Sequence, residues 1–174
     1  RLLANTPDRF PLQLGGPEGA LSGMGEQPAE IAKLVAGSLG LSVRSHHWQT
    51  DRSPLADYFA WATKLTTALG KFGQDVCLLS QNEVQEIVLT GGGGSSAMAH
   101  KNNPVLAESL VSLARFNAAL NSGMTQAALH EYERSGASWT LEWMLVPQMC
   151  VATGASLRNS RSLVDQIMFR ETIN

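Results

Sequence analysis

The stretch LTGGGGSSAMAHKNNPVLAE, from Leu89 to Glu108, gathers side chains that can move protons and hold anions. Ser95 and Ser96 carry hydroxyls that donate or accept a proton once activated. Lys101 offers a compact positive charge for a carboxylate, and Asn103 adds amide donors. The glycines ahead of them let backbone amides crowd an anionic group. A P-loop is excluded, because Lys101 is followed by Asn102 instead of Ser or Thr, and a helical pattern precedes the glycines. A hinge would account for the glycines but not for the order Ser-Ser-x-Met-x-x-Lys-x-Asn-Pro. A mobile lid over an active site accounts for both.

The elements around this loop read as helices. Residues 11–27 are a glycine-rich entry loop, and Pro28 then opens a short helix that Gly40 stops. After the polar segment SVRSHHWQTDR, Ser53-Pro54 reads as an N-cap followed by a first-turn proline. Apolar residues from Leu55 to Ile87 keep a three-or-four spacing. That spacing predicts one helix of about 35 residues, well beyond the roughly 10–14 of an average helix. Pro104 opens the next, with Leu106, Leu110, Leu113, Phe116, Leu120 and Met124 on one face. A break at HEYERSGAS precedes a last long segment, Trp139 to Ile173, which Pro147 should kink. Strand alternation is almost absent. The expectation is an all-α, long-helix bundle spanning 1–174, with the loop at 90–104 and a possible start of a C-terminal segment near 130–174.

Composition narrows the function. The 174 residues carry a formal charge of −2, and no lysine or arginine run marks a nucleic-acid or anionic-membrane surface. Charged residues are only 16% of the chain, few enough to suggest that subunit contacts cover much of its surface. No apolar run is long enough to cross a membrane, and no export signal opens the chain. Cys77 and Cys150 read as reduced core thiols of a cytoplasmic protein. His46 and His47 lack a third ligand at sensible spacing, and His130-Glu131 is not H-E-x-x-H, so no metal site follows. The start at Arg1 reads as part of a longer protein.

GSSAMAHKNNP resembles the G-S-S-x-M-P-x-K-x-N-P signature loop of the fumarase/aspartase superfamily. LQLGGPEGAL resembles that superfamily's Gly-Gly segment. HHWQTDR and EYERSGASWTLEWMLVP are similar to elements of one branch, the bacterial 3-carboxy-cis,cis-muconate cycloisomerases. The likeness covers nearly the whole chain in the same order. It implies a homotetramer with a twenty-helix core and active sites shared between subunits, with no metal and no cofactor. It also implies a small polycarboxylate substrate: addition of a carboxylate to a double bond turns the muconate into a carboxymuconolactone during aromatic-acid breakdown.

By the same resemblance Ser95 is the proton-transfer residue, Lys101 anchors a carboxylate, and Glu108 orients a histidine from another subunit. Ser96, His100, Asn103, Arg52 and Thr50 would bind substrate, Arg52 through a two-point clamp. Glu133 and Arg134 read as pairing with each other or with a neighbouring helix. Some positions depart from the pattern. Ala99 replaces the loop proline, Asn102 stands where the branch has arginine, and Gln49, Tyr132 and Thr140 stand where it has histidines. The superfamily's N-terminal domain and its G-R-T-H segment are absent from these residues, so the stretch alone should not complete a site. Two alternatives stay open: an adenylosuccinate- or argininosuccinate-type lyase releasing fumarate, and a non-catalytic oligomeric scaffold.

Overall fold

The computed structural model of the chain describes residues 10–94 and 102–170. Four helices carry it: α1 (Pro28–Leu39), α2 (Ser53–Leu79), α3 (Val105–Ala127) and α4 (Gly136–Val164). Four short strands accompany them: β1 (Ile87–Leu89), β2 (Gly93–Gly94), β3 (Asn102–Asn103) and β4 (Ile167–Phe169). The chain divides into two compact units, Arg1–Trp61 with Asn121–Val146 and Ala62–Leu120 with Pro147–Asn174. The division falls within α2, α3 and α4.

In the first unit α1 begins with Pro28 in its first turn and ends on Gly40 in the left-handed region, φ 68°, as the sequence predicts. The start of α2 differs. Ser53 is already helical, and the Asp51 carboxylate accepts its amide at 3.1 Å, so Asp51 and not Ser53 does the capping. Hydrogen bonds from the Ser53 hydroxyl and then its amide, together with Arg44, hold the Asp51 carboxyl below the usual range. At α4 the hydroxyl of Ser135 accepts the Ser138 amide at 3.3 Å, a side-chain cap that starts the helix three residues before Trp139. Trp48, Phe59, Met124, Ala127 and Leu145 are buried here.

In the second unit α2 is shorter than its periodicity suggests. It stops at Leu79, and a turn through Ser80–Gln85, with Gln85 at φ 49°, leads into β1. Ile87 and Leu89 are buried and Val88 is exposed, because the spacing there serves a strand and not another helical turn. β1 pairs antiparallel with β4, Ile87 opposite Phe169 and Leu89 opposite Ile167. The last helix therefore ends at Val164, before the Ile173 its apolar pattern suggests. Pro147 lies inside α4, which is assigned as one helix across it.

Val76, Ile87, Leu89, Ala107, Leu110 and Leu163 form the core of this unit. Gly70 and Gly73 let α3 come close. A Cβ on Gly70 would lie 2.5 Å from the Ala114 side chain, and one on Gly73 would lie 2.5 Å from the Ala107 carbonyl. Inside, Asn117 donates to Thr153 at 2.9 Å and to Thr66 at 3.5 Å, tying α2, α3 and α4 through a buried polar layer. Cys77 is half-buried, whereas Cys150 is exposed and not a core thiol. Exposed apolar side chains remain on α1 (Leu34, Leu39) and α4 (Trp143, Met144, Val151).

Candidate active site

The neck of the 90–104 loop is built by backbone pairing. Gly93 lies opposite Asn103 and Gly94 opposite Asn102, so β2 and β3 clamp the two ends of the segment between them. Glycine permits two close approaches at the entry. A Cβ on Gly91 would strike the Gln166 side chain at 2.8 Å, and one on Gly93 would strike Val105 at 2.7 Å. Thr90 is anchored by its amide to the Gln166 carbonyl at 2.9 Å. Ser95, Ser96, His100 and Lys101 lie outside the described residues.

Asn103 therefore sits at the neck, and Glu108 sits in the first turn of α3, exposed, where the helix dipole favours its charge. Glu108 is close enough to Cys77 that its charge, after burial, raises the thiol's pKa. Both thus lie in the second unit, Asn103 just before α3 and Glu108 in its first turn.

Arg52 and Thr50 belong to the first unit. Thr50 is half-buried in the bend before α2. The guanidinium of Arg52, expected to clamp a substrate carboxylate, forms a two-point pair with a carboxylate of the chain itself. Nε donates to Glu142 Oε1 and Nη2 to Oε2, both at 2.7 Å. Nη1 donates to the Gln49 carbonyl at 3.1 Å, and the Trp48 ring lies 5.1 Å from the guanidinium carbon.

Glu142 has a second neighbour. The His130 side chain is fully buried; its Nδ1 accepts the Ser135 amide at 3.2 Å, which leaves the neutral ring's proton on Nε2, 3.9 Å from Glu142 Oε1. Burial, then the charge of Arg52, pushes the pKa of His130 down, so the ring is neutral near pH 7.

Sequence reasoning missed Glu142 and His130 as members of this cluster, although both stand in the HEYERSGASWTLEW stretch. Gln49, which stands at a branch histidine position, donates through Nε2 to the carbonyls of Pro17 and Glu133, each at 2.9 Å. It ties the entry loop to the segment before α4. Arg134 stacks on Trp139 at 5.1 Å, a third partner for a residue expected to pair with Glu133 or another helix. Among the described residues no group of His, Cys, Asp and Glu could hold a metal ion.

A helical chain with this loop neck is that of a fumarase/aspartase-type lyase. The lyase family profile matches residues 1–116, and the chain belongs to that family. The 3-carboxy-cis,cis-muconate cycloisomerase of Pseudomonas aeruginosa is 36% identical over 168 residues, covering 95% of this chain and 37% of the relative. Nitrosuccinate lyase of Streptomyces davaonensis is 34% identical over 166 residues, covering 89% of this chain and 35% of the relative. The crystal structure of the 3-carboxy-cis,cis-muconate lactonizing enzyme from Pseudomonas putida superposes with a TM-score of 0.81 at 31% identity, covering 92% of this chain and 36% of that one. This chain spans little more than a third of the length of the curated relatives it matches.

Proposed function

We propose that the protein containing this chain is a cycloisomerase acting on 3-carboxy-cis,cis-muconate in aromatic-acid breakdown. The observation that carries the reading is the loop sequence GSSAMAHKNNP, within a chain 36% identical to a cycloisomerase of that name. One substrate carboxylate oxygen adds to a carbon of the double bond, forming the lactone C–O bond. The electron pair moves onto the carbon alpha to another carboxylate, and that carbon takes the proton that Ser95 delivers. Lys101, Ser96, His100 and Asn103 hold the substrate's carboxylates, and the developing enolate-like charge meets the loop's amides and Lys101. Glu108 orients a histidine of another subunit. Thr50 and Arg52 also bind substrate, Arg52 with the donors that Glu142 and Gln49 leave free.

Four copies assemble with shared sites in this proposal, which the exposed Trp143, Met144 and Val151 on α4 support. Two free cysteines fit the cytoplasm. The second reading is a lyase acting by elimination on a related carboxylate, favoured by the 34% identity to nitrosuccinate lyase. Proton NMR of the full-length protein's products decides between them. Conversion of 3-carboxy-cis,cis-muconate to a lactone supports the cycloisomerase; turnover of nitrosuccinate instead supports the lyase.

A further inference from the structure

We infer that the cavity bounded by the glycine-rich loop, α1 and the Val43–His47 segment is a binding pocket for a small organic carboxylate with an apolar body. The inference is independent of the reaction proposed above, because it concerns binding and not turnover.

The cavity measures about 440 Å³, within the range of small-molecule sites. Backbone hydrogen bonds hold the loop side of the cavity. Leu12 donates to the Ser42 carbonyl at 2.8 Å, Ser42 to that of Phe10 at 3.0 Å, and Leu21 to that of Gly15 at 2.8 Å. Leu12, Leu21 and Val43 supply apolar surface.

The sign of the polar lining sets the ligand class. Among the described residues, Lys33, Arg44, His46 and His47 line the cavity and no aspartate or glutamate does, in a chain whose formal charge is −2. Two of the chain's four histidines are thus at one cavity. Lys33 is held by Glu30 at 2.7 Å and Arg44 by Asp51 at 3.3 Å, both in exposed pairs that contribute little and can yield to a ligand carboxylate. The His47 ring rests on the loop because Gly19 has no side chain; a Cβ there would lie 2.7 Å from Nδ1.

The test titrates the full-length protein with benzoate in a calorimeter, with benzyl alcohol as an uncharged ligand of similar size. Ala29→Trp places bulk at an exposed helix position that lines the cavity, and a Lys33→Gln/Arg44→Gln double variant removes the fixed cations. Benzoate should bind at least about tenfold more tightly than benzyl alcohol. Each variant should weaken benzoate by at least about tenfold while circular dichroism and Tm stay at wild-type values. Absence of benzoate binding up to about 20 mM, weaker than any useful small-ligand site, overturns the inference. So does equal binding of benzyl alcohol, or undiminished benzoate affinity in both variants.

Discussion

Arg52 and Glu142, ninety positions apart in the chain, meet in a two-point ion pair with both contacts at 2.7 Å. Their side chains are 10% and 6% exposed. Such a pair stabilises little relative to an apolar substitute, but removing one member strands the other without water.

Glu142→Ala should therefore cost about 3–5 kcal/mol in unfolding free energy, the usual penalty for an unpaired buried charge. The double variant Arg52→Met/Glu142→Leu should recover most of that loss. Urea denaturation of the three proteins measures both effects, and a double variant as unstable as Glu142→Ala would contradict this account of the pair.

His130 gives the stability a pH dependence whose sign follows from its lowered pKa. The unfolded chain, with an ordinary histidine pKa of about 6.5, binds the proton more tightly than the folded one. Stability from this group is therefore fully present above that value. It declines as pH falls below it, until the folded ring also titrates. Melting wild type and His130→Gln from about pH 7.5 to about pH 5 should show a steeper acid loss in the wild type.

Two helical glycines should respond in opposite directions to alanine. Gly73 faces the Ala107 carbonyl with no room for a methyl group, so Gly73→Ala should destabilise by about 1–3 kcal/mol through overpacking. Gly37 in α1 has nothing within 4 Å of an added Cβ, so Gly37→Ala should stabilise by up to about 1 kcal/mol through helix propensity. Thermal melts of the two variants check this.

Much of this was legible in the sequence where one residue type enforces one geometry. Pro28 and Gly40 bound α1 as expected, and Pro104 lies directly before α3. The end of α2 was not legible. Val84 and Ile87 continue a helical spacing, and only the pairing of Ile87–Leu89 with Ile167–Phe169 turns the segment into a strand. Three-residue strands are too short to show alternation on their own. For the candidate site, the loop was readable because its residues are contiguous. Glu142 as the partner of Arg52 was not, because no local spacing links positions ninety residues apart.

Proton transfer by Ser95 during lactonization of 3-carboxy-cis,cis-muconate is the step on which the proposed function turns. The direct measurement follows loss of that compound by ultraviolet absorbance, with full-length wild type and Ser95→Ala compared at equal concentration. The wild type should turn it over, and the variant should lose at least about a hundredfold in kcat, the usual size of a general acid–base contribution. Turnover by Ser95→Ala at the wild-type rate, or no consumption by either protein, would contradict this step.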